Sequence, residues 1–328
     1  MIDELKNIEE PGLVLFTSGT TSEPKAVLHN FKSLQSKFNK PGKDLITLAF
    51  MYLDHIGGID TVLYTIYNNS SLVLTFDRSV DQICKLIEEL RIEVLPTTPS
   101  FLKLMIFSEA YKKYDLSSLK NITYGTEPMS LTLLSRLNEI FPDTRIIQKF
   151  GTTETGALNI KSESNDSNWI KMGDDNYKVR VNDGLLEIKS NTSMLGYLNY
   201  PSPFTSDGWL MTKDQVEVKN DYYRIKGRST RMINVGGEKV NPVDVEEVIE
   251  QLDFVIDVNV FSESNNILGN IVIAELVIDD NINKSEAKKR VKEFCKDKLE
   301  AFQIPVKIKF NNEISVNSSF KKSLKNQG

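Results

Sequence analysis

Short apolar runs and amphipathic stretches alternate along the first half of the chain. Strand-like runs lie at 13–16, 45–50, 72–76, 92–95, 122–124 and 145–147. Between them, apolar residues recur three and four apart. One set is Phe31, Leu34 and Phe38, a second is Ile83, Leu86, Ile87 and Leu90, and a third is Leu133, Leu134, Leu137, Ile140 and Phe141. That spacing gathers each set on one face of a helix. Strand–helix alternation predicts βαβ units and a largely parallel sheet covered by helices. Such sheets bind ligands in the loops beyond the C-terminal ends of their strands. The loops at 17–25, 125–128 and 150–155 are expected at such ends, which points to a shared site.

From about residue 160 the pattern changes to hairpins. Asn182-Asp183-Gly184 interrupts the run from Val179 to Ile188, and Asn220-Asp221 interrupts the run from Val216 to Ile225. Both read as strand pairs around tight turns. The short charged stretch Gly227-Arg228-Ser229-Thr230-Arg231 suits a linker. Beyond it the pattern predicts a helix near 243–252, strands at 255–261 and 271–278, a Lys/Glu-rich helix near 285–299 and a last strand at 306–310. The expected division is therefore 1–228, with a β-rich part at about 160–228, followed by a small α+β unit at 229–328.

Composition narrows the class. The 328 residues are 40% hydrophobic and 26% charged, with a net charge of −5. That is ordinary for a globular chain and lacks the basic excess of a nucleic-acid binder. No apolar run approaches the roughly 20 residues that a membrane span requires. Two distant cysteines, Cys84 and Cys295, form no disulfide framework, so a reducing cytoplasmic location is expected. With only His29 and His55, a histidine-rich zinc site is excluded.

The chemistry concentrates in five stretches. The first, Thr17-Ser18-Gly19-Thr20-Thr21-Ser22-Glu23-Pro24-Lys25, follows an apolar run. Its hydroxyls and backbone N–H groups suit phosphate oxygens, and Lys25 adds a point charge. It is not a Walker A loop, because no glycine precedes Lys25 and no Ser or Thr follows it. The others are Thr123-Tyr124-Gly125-Thr126-Glu127-Pro128; Gln148-Lys149-Phe150-Gly151-Thr152-Thr153-Glu154; Asp207 to Asp214 with Tyr223 to Arg228; and Val235-Gly236-Gly237-Glu238-Lys239-Val240-Asn241-Pro242.

In order and spacing, these five stretches resemble the adenylate-forming (AMP-binding) superfamily of acyl-CoA synthetases, peptide-synthetase adenylation domains and luciferases. The resemblance spans nearly the whole chain. It implies a reduced form of that family's α/β N-terminal domain, with parallel sheets, helices and a β-rich subdomain, and then a small mobile α+β C-terminal domain. It implies ATP-dependent activation of a small carboxylic acid as an acyl-adenylate, with Mg²⁺, and transfer to a thiol of coenzyme A or of a carrier protein's phosphopantetheine. Holding two anions together demands positive charge, donors and a metal.

By resemblance, Thr17, Ser18, Gly19, Thr20, Thr21 and Lys25 hold the β- and γ-phosphates. Gly125, Thr126 and Glu127 lie along adenine, and Phe150 stacks on it, flanked by Gln148, Gly151 and Thr152. Thr153 contacts phosphate and Glu154 is the Mg²⁺-linked carboxylate. Asp214 and Arg228 meet the ribose, and Lys239 approaches the α-phosphate. Lys321 aligns with the lysine that bridges carboxylate and α-phosphate, with Lys322 one register away. His55 and Gly57 border the acyl group, Gly236 and Gly237 line the thiol tunnel, and Thr230 stands at the hinge.

Several positions depart from the family pattern. Ser22, Ala26 and Lys213 replace common glycines, and Gln148 replaces a common asparagine. Phe320 stands where glycine usually precedes the lysine, which stiffens that loop. Members usually carry a long region before the phosphate loop, whereas Met1 precedes Thr17 by a short stretch. The expectation is a shortened member, either reduced in fold or completed by another subunit or a second copy. A non-catalytic nucleotide-binding subunit and one part of a split adenylating enzyme are the alternatives.

Overall fold

The protein is described by a computed structural model covering residues 1–17, 23–38, 41–265, 267–317 and 320–322. Five parallel strands form its first sheet, in the order Leu72–Val73, Thr47–Leu48, Val94–Thr97, Asn121–Tyr124 and Arg145–Gln148. Helices Val80–Leu90, Pro99–Phe107 and Leu131–Ile140 connect these strands. Their apolar faces meet the sheet in one core that contains Leu48, Ile83, Ile87, Leu95, Phe101, Ile122, Leu134 and Ile146. This is the strand–helix alternation around a parallel sheet that the apolar runs predict. Each helix start carries its own signal, since Ser79, Thr98 and Ser130 accept backbone N–H bonds as N-caps.

The first apolar run follows a different course. Strand Gly12–Thr17 pairs antiparallel with Lys25–Asn30, in register from Gly12↔Asn30 to Thr17↔Lys25, and Gly196–Tyr197 pairs the far side of Lys25–Asn30. These two strands are therefore antiparallel neighbours, and the expected passage from a parallel strand into a helix is corrected. The cause is that Ala26 to His29 are all buried, so this segment packs on both faces as a central strand. The amphipathic set Phe31, Leu34 and Phe38 forms only the short helix Phe31–Gln35, capped by Asn30.

The β-rich sheet orders its six strands as Lys161–Ser162, Ile170–Lys171, Tyr222–Arg228, Leu210–Lys219, Leu185–Ser190 and Tyr177–Asn182. Both expected hairpins are present. Asp183 and Gly184 carry φ of 48° and 74°, and Asn220 carries 54°, the left-handed backbone that two-residue turns need. The last sheet comprises Glu238–Val240, Ile233–Val235, Gly269–Ile278, Val255–Asn265 and Lys307–Phe310, with helices Pro242–Ile249 and Lys284–Lys296 on its core. Among the described residues, no helix is long and apolar enough to cross a membrane.

Helix Ile56–Tyr67 is hidden in the sequence by the glycines at its start. Gly58 explains their presence: a Cβ there would fall 2.1 Å from the Tyr52 carbonyl oxygen and 2.8 Å from that of Met51. Gly58→Ala should therefore lower stability by about 2–3 kcal/mol through overpacking. Urea unfolding checks this, and an unchanged midpoint would contradict the close approach.

Candidate active site

The parallel strands end in a row of polar loops, as their topology dictates. Thr98 follows Val94–Thr97, the Gly125-Thr126-Glu127 stretch follows Asn121–Tyr124, and Phe150 follows Arg145–Gln148. Gly125 has little room, since a Cβ would meet the Lys149 carbonyl oxygen at 2.9 Å. Thr126 is exposed and carries φ of 73°. The Glu127 carboxylate accepts from the Ser100 N–H at 3.2 Å and hydroxyl at 2.8 Å, and also from the Lys322 N–H. Gln148 is buried and accepts from the Tyr124 hydroxyl at 3.2 Å. Phe150 packs partly buried against the core of the β-rich sheet.

Phe150–Thr152 and Gly156–Leu158 form a small hairpin whose turn carries Glu154. Gly151 permits the hairpin, because a Cβ would lie 2.4 Å from the Gly156 oxygen on the opposite strand. Thr152 Oγ1 accepts from the N–H groups of Glu154 and Thr155, each at 3.2 Å. The Met194 N–H donates to the Glu154 carbonyl at 2.7 Å, and the Tyr197 hydroxyl donates to Glu154 Oε1 at 2.6 Å. His29, fully buried, donates from Nε2 to the Thr153 carbonyl at 2.6 Å, and burial pushes its pKa below the usual value. Thr153 and Glu154 are thus held in place by two strands of the three-stranded sheet and by the connection at Met194.

Tyr197 and Tyr200 also flank Lys25, whose ammonium lies 5.1 and 4.6 Å from their ring centroids. Lys25, Glu154, Tyr197, Tyr200, Lys213 and Arg228 line a cavity of about 270 Å³. Thr17 is the register partner of Lys25. Ser18, Gly19, Thr20 and Thr21 lie outside the described residues.

Across the cavity, the register pairs Asp214 with Arg228, and Arg228 Nε meets Asp214 Oδ1 at 2.9 Å. Asp214 is 6% exposed. Burial pushes its pKa up to about 6, against the opposing pull of Arg228. Lys213 occupies a left-handed conformation, φ 64°, at the position of the family's common glycine. A residue with a Cβ is held there at a cost of roughly 1–2 kcal/mol.

The tail reaches the ends of the parallel strands. Val316 and Lys322 form an antiparallel bridge, the Asn317 N–H donates to the Lys321 carbonyl at 2.8 Å, and Lys321 Nζ approaches His55 Nε2 to 3.1 Å. His55 caps helix Ile56–Tyr67, its Nδ1 accepting from the Gly57 N–H at 3.0 Å. Burial and the Lys321 charge push the His55 pKa down to about 4. The neutral ring then carries its proton on Nε2, because Nδ1 is an acceptor. Burial also pushes Lys321 below the usual lysine range, with Glu127 and Asp54 pulling up and Arg228 pushing down. A neutral Lys321 accepts from His55 Nε2–H, whereas a protonated Lys321 faces another donor and favours an anion instead.

The structure thus brings together Lys25, Thr152, Glu154 and Arg228 around one cavity, with Asp214 bonded to Arg228 and with Lys321, His55, Gly57 and Glu127 at the strand ends. It does not bring Lys239, Gly236 or Gly237 into this group. Gly236 and Gly237 form the turn between Ile233–Val235 and Glu238–Val240, with φ of 61° and 100°, and their N–H groups bond Leu268 and Asn234. Lys239 is exposed opposite Asn234. Thr230 is exposed in the short turn Ser229–Arg231 between the β-rich sheet and the last sheet. His29, Tyr197, Tyr200 and Thr98 were missed. His29 left no strand signal, because Ala26 to His29 are all buried and show no polar–apolar alternation.

Because the folded pKa of Asp214 lies above the ordinary 3.8, the folded state binds its proton more tightly than the unfolded one. Stability from this group is greatest at low pH and is lost as pH rises from about 4 through about 6. Asp214→Asn should match the wild type near pH 4 and be more stable by about 2 kcal/mol at pH 7.5. Urea unfolding at both pH values checks this; equal effects at both would contradict it.

Residues 3–185 match the AMP-binding enzyme family, and residues 244–321 match the AMP-binding enzyme C-terminal domain. The chain is 25% identical over 346 residues to a 4-coumarate–CoA ligase-like protein of Arabidopsis thaliana, covering 96% of this chain and 61% of that one. It is 25% identical over 337 residues to a long-chain-fatty-acid–CoA ligase of Mycobacterium tuberculosis, covering 94% and 65%. The fold matches the crystal structure of an anthranilate CoA ligase in complex with anthranoyl-AMP, with TM-score 0.82, 22% identity, 94% of this chain and 65% of that one. The chain therefore spans less than two thirds of the length of these three relatives. With the family's model matching more than half of this chain and the C-terminal domain following it, the chain belongs to the AMP-binding enzyme family.

Proposed function

We propose that this protein activates a carboxylic acid with ATP and then passes the acyl group to a thiol. The observation that carries this reading is the convergence of Lys321 with the Glu154, Asp214 and Arg228 cluster. A cation from the last domain reaches the edge where the first domain gathers its phosphate- and ribose-binding groups. The acyl-CoA ligase names of the relatives support the same reading.

In this account a carboxylate oxygen attacks the α-phosphorus of ATP, and the bond to pyrophosphate breaks. Lys321 turns from His55 to the two anions and offsets their repulsion. Lys25 and Thr17, with the Ser18, Gly19, Thr20 and Thr21 loop, receive the outer phosphates. Phe150 stacks on adenine beside Gly125, Thr126, Gly151 and Gln148, and Thr153 contacts phosphate. Asp214 accepts from the ribose hydroxyls, and Arg228, already bonded to it, fixes its orientation. Glu154 is the residue that would hold Mg²⁺. One carboxylate plus nucleotide phosphates is a donor set that ion favours, and among the described residues no group of three or more His, Cys, Asp or Glu competes for it. The metal would supply charge neutralisation at the phosphates.

The second step is attack of a thiol sulfur on the acyl carbon, with AMP leaving. The unit at 229–328 is proposed to turn about Thr230, carrying Lys321 away and bringing Gly236 and Gly237 to the thiol. The turn position of those glycines supports this, because a Cβ at Gly237 would meet nothing within 4 Å. Lys239 is proposed to enter the site in the same movement. His55 and Gly57 are placed at the acyl group, and the thiol belongs to coenzyme A or a carrier protein.

Carboxylate-dependent exchange of labelled pyrophosphate into ATP, over a broad acid panel, tests the first step. Exchange with at least one acid is expected, and Lys321→Ala should reduce it by about 100-fold or more while sparing thiol attack on supplied acyl-adenylate. Nucleotide binding without exchange under any acid would favour a non-catalytic subunit. Exchange only after a companion chain is added would favour a split enzyme. Equal loss of both steps in Lys321→Ala would defeat the role given to that lysine.

A further inference from the structure

Phe320 does more than stiffen the tail. Its backbone is left-handed, with φ of 53°, at the position where the family usually carries glycine. Its ring, partly buried, reaches from the last domain and packs against the core of the first. There it lies 5.6 Å from the ring of Phe50 and 5.5 Å from that of Phe101, with Phe50 and Phe101 themselves 4.8 Å apart. Phe50 and Phe101 are fully buried. The tilted and edge-on angles, 54° and 82°, are those that aromatic pairs prefer. The Arg78 guanidinium lies 5.5 Å from the Phe320 ring and 3.5 Å from that of Tyr52.

The backbone is fastened alongside the ring. Thr98 Oγ1 donates to the Phe320 carbonyl at 2.5 Å, and the Lys322 N–H donates to Glu127. The Phe320 N–H bonds the Asn317 carbonyl at 2.9 Å, and the Lys321 N–H bonds Asn317 Oδ1 at 3.1 Å. Lys322 Nζ meets Glu246 at 3.1 Å within the last domain. The lysine between these anchors is thereby aimed at His55.

We infer that Phe320 is a positioning residue: its ring seats Lys321 at the strand ends, and must leave the Phe50–Phe101 pair before the thiol step. A glycine at this position relieves the backbone but supplies no anchor. The residue therefore exchanges loop mobility for a docked lysine, favouring the first step at the expense of departure from it. The role in the two steps rests on the proposed function; the docking of the loop does not.

The test separates these. Trypsin cleavage after Lys321 and Lys322, without ligand and followed by mass spectrometry, reads docking alone. Phe320→Ala and Phe320→Gly should both be cleaved about 10-fold faster than the wild type, and Phe320→Leu, which keeps apolar volume, by less. On the same variants, pyrophosphate exchange should fall about 10-fold or more in kcat with the KM for ATP little changed. Attack of the thiol on supplied acyl-adenylate should be unchanged or faster. Equal cleavage rates in all four proteins would overturn the anchor. Faster cleavage with both steps slowed equally would overturn the positioning role, and faster cleavage in a protein that shows no exchange with any acid would leave the anchor standing while removing the proposed function beneath it. Exchange by Phe320→Gly at the wild-type rate would show that backbone conformation alone places Lys321, and would also overturn the inference.

Discussion

The site depends on one contact between distant parts of the chain, the docking of Phe320, Lys321 and Lys322 against the C-terminal ends of the parallel strands. Among the described residues, no other contact carries a cation of the last domain to His55. The anchors differ in kind. Aromatic packing is insensitive to salt, the Thr98 and Glu127 bonds satisfy backbone groups, and Lys322 with Glu246 ties the turn back to its own domain. An ammonium held away from water in this way is drawn toward whatever anion enters.

A second contact reinforces the pose. Lys103, on helix Pro99–Phe107, meets Asp257 at 2.7 Å and Glu250 at 2.5 Å on the last domain. Burial would depress its pKa, but the two carboxylates hold it above the usual lysine range. Breaking a buried ion pair leaves charge without a partner, which costs about 3–5 kcal/mol. Turning the last domain away therefore requires water or new partners for Lys103, Glu250 and Asp257. In the proposed turn of the last domain, leaving this pose would be a step with its own barrier.

Much of the fold was legible because local signals agreed with tertiary packing. The Asp183-Gly184 turn, the helix at 80–90 and the last domain's elements each combine periodicity with a turn or cap residue. The antiparallel pairing of Gly12–Thr17 with Lys25–Asn30 was not legible, because Ala26 to His29 are all buried and the period-two signal is lost. Of the candidate site, charged residues such as Asp214 and Lys321 were singled out by resemblance and remain proposals, whereas the groups packed around them carry no sequence signal. Tyr197 is brought to Glu154 by pairing of distant strands, and Thr98 to Phe320 by packing between domains. In the sequence, Phe320 signals only a loss of flexibility. Its ring's destination follows from tertiary structure alone.

The central claim is that nucleotide and acid share one site, bridged by Lys321. Calorimetric titration with AMP and with a panel of acyl-sulfamoyl adenosines tests it most directly. At least one acyl analogue should bind about 100-fold or more tightly than AMP, as expected for a mimic of the reactive intermediate, and Lys321→Ala should erase most of that difference. A panel in which no analogue binds more tightly than AMP would contradict the account.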